Sequence, residues 1–203
     1  MTGDQFTSGF VNVNPNSKIP AAVDLGGPDG QPVKLFESGS IVLYFAEKFN
    51  KFIPSDPAKR AECLNWVFWQ MGGQGPMTGN FGHFMVYAPA DKLETRDYGV
   101  SRYGMEVQRL CSVLDKHLEG KTFIVNEEYT IADIICFPWF NQLRIGYKHA
   151  SGTAAADFLS VEQYKNALAW ADRIAERPAV KRGLLVCSGG IGKPWLEKPV
   201  GEK

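Results

Sequence analysis

The chain has 203 residues, 44% of them hydrophobic, and its 22 basic Lys and Arg side chains are matched by 22 acidic ones, for zero formal net charge. That length allows one large domain or two small ones, with a core that needs no staples. The even charge, with no block of one sign, argues against a nucleic-acid binder, which carries a basic excess.

The cysteines, Cys63, Cys111, Cys136 and Cys187, stand far apart with no CxxC pair. Buried free thiols are therefore expected, rather than disulfides or a zinc site, and an electron-transfer thioredoxin is excluded. His83, His117 and His149 show no metal-ligand spacing such as HxxxH, which argues against a metalloenzyme. No signal peptide is evident and no apolar run reaches the ~20 residues that span a bilayer, so a cytosolic protein is expected.

In chain order, a polar, Asn-rich start (Asn12, Asn14, Pro15, Asn16) leads to two strand-like runs, Ile19 to Val23 and Val33 to Phe36. The turn-rich Gly26-Gly27-Pro28-Asp29-Gly30 between them reads as a hairpin connection. Ser38-Gly39 opens a helix with Ile41, Phe45 and Phe49 on one stripe. After Pro54 the spacing is helical throughout. Ser55-Asp56-Pro57 starts a helix whose apolar face is Ala61, Leu64, Phe68 and Met71. The run Gly72-Gly73-Gln74-Gly75-Pro76 is expected to kink or stop it. Tyr103, Val107, Leu110, Leu114 and Leu118 form a further stripe stopped by Gly120. Thr130 and Asp133 form a capping box, with Tyr129 and Ile134 placed as a hydrophobic staple. A helix is expected from about Val161 to Arg177 and another from Pro178, while the tail from Lys193 has no clear period. The boundary near Pro54 divides a strand-containing part, residues 1–53, from an all-helical part, residues 54–203.

Three stretches bear on chemistry. Lys18-Ile19-Pro20 puts a proline at the start of a strand, either as an ordinary edge residue or with a cis Ile19–Pro20 bond. The cis form turns the Ile19 backbone N–H and C=O outward for a peptide ligand. Phe36-Glu37-Ser38-Gly39-Ser40 runs a strand straight into a helix N-terminus, where free N–H groups and the dipole favour a carboxylate. Ser38 adds a hydroxyl donor and Glu37 matches an ammonium, so the pair suits the α-amino acid end of a ligand; a plain helix start with an acid in its first turn fits the same residues. Trp66-Val67-Phe68-Trp69-Gln70-Met71-Gly72-Gly73-Gln74-Gly75-Pro76-Met77 is glycine-rich but has no Gly-Lys-Ser/Thr and follows a helix, so it is not a phosphate loop. Its aromatics suit a core or an interface.

The segments Asn14-Pro15-Asn16-Ser17-Lys18-Ile19-Pro20-Ala21 and Leu35-Phe36-Glu37-Ser38-Gly39-Ser40-Ile41 resemble the thioredoxin-like half of a glutathione transferase. Tyr129-Thr130-Ile131-Ala132-Asp133-Ile134 resembles the capping-box helix of that family's helical half. Trp69-Gln70-Met71-Gly72-Gly73-Gln74-Gly75-Pro76 and Glu176-Arg177-Pro178-Ala179-Val180-Lys181-Arg182-Gly183 match its nu class, known for glutathione-dependent disulfide reduction. The resemblance implies an α/β plus all-α fold: a partial thioredoxin-like domain of hairpin and helix, then an all-helical C-terminal domain. It also implies that the family's opening strand–helix–strand unit, which supplies the group facing the glutathione sulfur, precedes the segment where this chain begins. A late start or a truncated product is the expectation.

The same resemblance implies a glutathione site. Gln5 reaches the glycyl end. Ile19, between Lys18 and a cis Pro20, pairs its backbone with the cysteinyl part. Glu37 and Ser38 hold the γ-glutamyl amine and carboxylate. Arg102, with Tyr98 one turn earlier, faces the same cleft; from the residues alone Arg102 is an exposed surface charge. The loop around Ala90 to Asp97 is a few residues longer than in relatives. The implied activity is a glutathione-dependent transferase or disulfide-bond reductase acting on a small disulfide, peroxide or electrophile, with no catalytic residue of its own among these positions and a homodimer as the usual assembly. The alternative is a non-catalytic binding or dimerisation module.

Overall fold

The computed structural model describes residues 3–89, 91, 93–149 and 151–186. Cys187, the tail from Lys193 and Ala90 in the long loop lie outside the described residues. Before the strands come a 3-10 turn, Asp4–Phe6, and a single helical turn, α1 (Ser8–Val11), which the polar composition does not announce.

The two strands form an antiparallel hairpin. β1 (Ala21–Asp24) pairs with β2 (Val33–Phe36), in register from Ala21 opposite Phe36 to Asp24 opposite Val33. β1 starts past Pro20, which has no N–H to give to a ladder. The hairpin connection contains a 3-10 turn, Pro28–Gly30, with Asp29 and Gly30 at φ of 56° and 71°.

β2 leads directly into α2 (Ser38–Phe49). Tyr44 and Lys48, four apart on one face of α2, hold the hairpin against it through Asp24. The Tyr44 hydroxyl donates to Asp24 Oδ2 at 2.7 Å, the Lys48 ammonium pairs with the same carboxylate and donates to the Gly26 carbonyl at 2.6 Å, and the Gly26 N–H donates to Asp24 Oδ1 at 3.0 Å. The Lys48 contact first, then the Tyr44 hydroxyl, holds the Asp24 carboxyl below its ordinary value. A carboxyl lowered on folding stabilises above its unfolded pKa, and that contribution is lost as pH falls through the folded one. Asp24→Asn should therefore melt lower than the parent at pH 7, and the gap should close below about pH 4; thermal melts across pH check it.

The neighbouring stripe of α2, Ile41, Phe45 and Phe49, lines an apolar cavity of about 490 Å³ with Phe52, Ile131 and Ile134. α3 (Pro57–Trp69) begins as expected: Asp56 caps it by accepting the Lys59 N–H at 2.9 Å, and Pro57 sits in its first turn. The glycine run does not stop this helix. The chain passes through a π turn, Gln70–Gln74, and continues as α4 (Gly75–Gly82) into a second π turn, His83–Tyr87. Pro76 cannot donate to the carbonyl of Gly72, and the wide turn just before it absorbs that break.

α5 (Leu93–His117) gives way to Gly120 at φ 71°, and α6 (Ile131–Asn141) follows. Asp133 is 0% exposed, and its carboxylate accepts the Ile124 N–H at 2.9 Å, the Thr130 N–H at 2.9 Å and the Thr130 hydroxyl at 3.3 Å. The Ile131 N–H, at the first position of α6, donates to the Phe52 carbonyl at 2.8 Å. A π turn (Gln142–Gly146) and α7 (Ala155–Phe158) come next.

The helix expected from Val161 is divided. Val161–Gln163 is a 3-10 turn, Tyr164 leaves helical geometry at ψ 71°, and α8 runs Lys165–Ala175. The Asp115 carboxylate of α5 fixes this start by accepting the Ala167 N–H at 2.9 Å and an Asn166 amide N–H at 3.3 Å. α9 is Pro178–Leu184.

Two compact units result. Among the described residues, one comprises 3–77 and 123–139, the other 78–122 and 140–186. The first is centred on Cys63, Val67, Ile124, Ile131 and Cys136, the second on Phe81, Leu114, Phe140, Leu143 and Trp170, all under 4% exposed. This spatial grouping is a different kind of division from the change of sequence character at residue 54.

Asp133→Ala removes the acceptor from two buried backbone donors. It should lower unfolding free energy by roughly 2–5 kcal/mol, measured by urea denaturation.

Candidate functional site

The chain passes from β2 to α2 at a single residue. Glu37 adopts φ 66° and ψ 118°, a conformation that L side chains rarely take. Its carbonyl starts the helix by accepting the Ile41 N–H at 2.9 Å. The N–H groups of Ser38, Gly39 and Ser40 have no partner among the described residues, as expected for the first turn of a helix. Glu37 is exposed, Ser38 half-buried and Gly39 buried. The turn therefore offers three backbone donors and a hydroxyl beside the Glu37 carboxylate, which has no partner among the described residues.

The start of β1 lies at the same end of the hairpin, because Ala21 pairs with Phe36. The Ile19–Pro20 peptide is cis, and Ile19 is 82% exposed. The Ile19 backbone N–H and C=O have no partner among the described residues. One residue earlier the loop is anchored: the Asn14 amide, 2% exposed, donates to the Lys18 carbonyl at 2.6 Å, and Asn14 Oδ1 accepts the Asn16 N–H at 2.9 Å. Asn14 thus positions the Ile19 edge, a role not read from the sequence beforehand, although an Asn-Pro-Asn turn is the pattern in which a side-chain amide closes its own loop. Lys18 and Pro20 are exposed. Gln5 is half-buried in the 3-10 turn whose neighbours Asp4 and Thr7 face Ala21, Ala22 and Val23 across a shallow groove.

Gln5, Lys18, Ile19, Pro20, Glu37 and Ser38 all belong to the first compact unit. Tyr98 and Arg102 belong to the second, one turn apart on α5, and both are exposed. Arg102 adds its charge to that of Arg109 in lowering the Glu106 carboxyl, with Arg109 the larger cause.

None of the three described cysteines is fit to be the sulfur nucleophile. Cys63, Cys111 and Cys136 are free and buried. Burial pushes each thiol up, Cys111 to about 12 and Cys136 well above its usual value. Among the described residues no group of three or more His, Cys, Asp and Glu is placed to hold a metal ion. Nor is any helix long and apolar enough to cross a membrane.

Residues 100–178 match the model of the glutathione S-transferase C-terminal domain. Disulfide-bond oxidoreductase YfcG of Escherichia coli is 43% identical over 184 residues, covering 90% of this chain and 79% of YfcG. Disulfide-bond oxidoreductase YghU of the same organism is 50% identical over 91% of this chain, which spans 60% of YghU. A glutathione transferase from Burkholderia graminis, solved with two glutathione molecules per subunit, superposes with a TM-score of 0.86 at 41% identity, covering 93% of this chain and 75% of that one.

Raised thiol pKa and burial together should keep Cys63, Cys111 and Cys136 unmodified by iodoacetamide at pH 7.5 in the folded protein and modified in denaturant. Peptide mass mapping of those three positions checks it, and rapid native labelling of any of them would contradict the assignment.

Proposed function

The chain belongs to the glutathione S-transferase family, and from that premise we propose that it binds glutathione at the β2–α2 junction and acts as a glutathione-dependent disulfide-bond reductase. The observation that carries this reading is the first turn of α2. Three unpartnered N–H groups and the Ser38 hydroxyl face a carboxylate's needs, and Glu37 beside them matches an ammonium. Both charges of a γ-glutamyl α-carbon are met within two residues. At the same end of the hairpin, the open Ile19 N–H and C=O supply the two bonds that a peptide backbone takes from a strand edge. Lys18 and Pro20 flank that edge, and Gln5 takes the glycyl end. On α5, Tyr98 and Arg102 take a second ligand carboxylate, to which a guanidinium is suited by its planar fork.

The electrons come from glutathione: two thiols reduce one disulfide and leave as glutathione disulfide. The chain's own residues bind and orient, because its described thiols are held protonated. Residues 1–53 act as the glutathione-binding half and residues 54–203 as the helical half, in a cytosolic homodimer. Small disulfides are the preferred second substrates, with peroxides and electrophiles behind them. A second reading is a binding or dimerisation module without turnover, since none of the proposed site residues is assigned to the glutathione sulfur.

Glutathione at about 100 times its Kd should stabilise the protein by about 2.7 kcal/mol and raise its melting temperature by several degrees. Glu37→Gln, which keeps the side chain's shape and removes its charge, should weaken glutathione binding by roughly 10-fold or more. Reduction of hydroxyethyl disulfide by the protein with glutathione supports the reductase. Binding without turnover supports the module, and no thermal shift removes the glutathione site.

A further inference from the structure

We propose that Met71 is a positioning residue for the γ-glutamyl site: its thioether sets the resting position of the Ser38 hydroxyl and backs the α2 turn that receives the ligand carboxylate. The inference rests on the glutathione reading of that site and adds a residue to it.

Among the described residues the Ser38 hydroxyl makes no hydrogen bond within its own helix. It donates instead to Met71 Sδ at 3.4 Å, across a sequence separation of 33 residues. A thioether is a weak acceptor, whereas a carboxylate takes a hydroxyl proton in a charge-assisted bond. The hydroxyl is therefore parked where it points in one direction and is released at little cost.

The same side chain packs on the backbone of the turn. A Cβ added at Gly39 would come within 2.9 Å of Met71 Cγ and 3.1 Å of its Sδ, with Val67 Cγ1 at 3.5 Å. Glycine at this position lets Met71 approach the backbone from behind, leaving the other side of the turn open to a ligand.

Met71 reaches this place from the π turn Gln70–Gln74, the part of the glycine-rich motif that no other role accounts for. Such turns commonly mark functional positions. Gln74 ties it down by donating to the Cys136 carbonyl at 3.3 Å. The Oε1 atoms of Gln70 and Gln74 are buried without a partner among the described residues, a polar cost of keeping this turn. A turn held in that way, and delivering one side chain to the ligand-facing end of another helix, fits a positioning role.

The test is a double-mutant cycle read by glutathione titration calorimetry, with the thermal melt of each ligand-free variant as the folding control. Met71→Leu keeps the volume and removes the acceptor; Met71→Gln substitutes a strong acceptor. With Ser38 present, Met71→Gln should weaken glutathione binding about threefold or more relative to Met71→Leu, because the hydroxyl is then held away from the carboxylate. With Ser38→Ala, that difference should vanish. Equal affinity of the Leu and Gln variants with Ser38 present, or a difference that persists without Ser38, overturns the role of Met71 and leaves the glutathione site standing. Failure of the parent protein to bind glutathione overturns the site and the role together.

Discussion

The structure of the proposed binding site depends on one backbone constraint: the chain must leave β2 and enter α2 within a single residue. Glu37 meets it by taking φ 66° and ψ 118°, at a cost of order 1–3 kcal/mol for a side-chain-bearing residue. Because the reversal is that abrupt, the first turn of α2 begins where the strand ends. Its N–H groups are neither paired to the sheet nor capped by a side chain. A gentler loop ending in a capping Ser or Asp would have satisfied those donors internally and removed the site.

The surroundings keep that junction in place. Asp24 joins the far end of the hairpin to Tyr44 and Lys48 of α2, tying strand to helix at that end. Asn14 closes the loop that presents Ile19 at the near end. Met71 and Val67 back the turn at Gly39. Deeper in each compact unit, a carboxylate does a similar task at a helix start. Asp133 takes two backbone N–H groups around the start of α6, and Asp115 takes one at the start of α8. In both places a negative charge meets the positive end of a helix, a favourable match that also fixes where the helix begins.

The chemistry follows from what is held and what is withheld. Cys63, Cys111 and Cys136 are buried, and their thiols are shifted upward, so they are packing groups. What the first unit exposes fits the proposed recognition: a helix turn with open N–H groups, the Glu37 carboxylate and the exposed backbone of Ile19. The proposed division, with the protein binding and the ligand supplying the sulfur, accords with a relative of 41% identity that was solved with glutathione bound.

Much of this was legible in the residues. The hairpin was marked by Gly26-Gly27-Pro28-Asp29-Gly30 between two apolar runs, and the helix starts by Asp56-Pro57 and Thr130 with Asp133; these are local signals, decided by a few neighbouring side chains. The motifs around Ile19-Pro20 and Glu37-Ser38, with those of the helical half, pointed to the family. Tertiary contacts decided the rest. The glycine run near Gln74 became a π turn rather than a helix end, and the helix expected from Val161 starts at Lys165 because Asp115, some 50 residues earlier, takes its N–H at Ala167. Asn14 and Met71 are ordinary residues in the sequence. Their importance comes from burial beneath a loop in one case and from contact with a serine 33 positions away in the other. Periodicity and short motifs carry only near-neighbour information; a contact between distant segments is fixed only once the chain has packed.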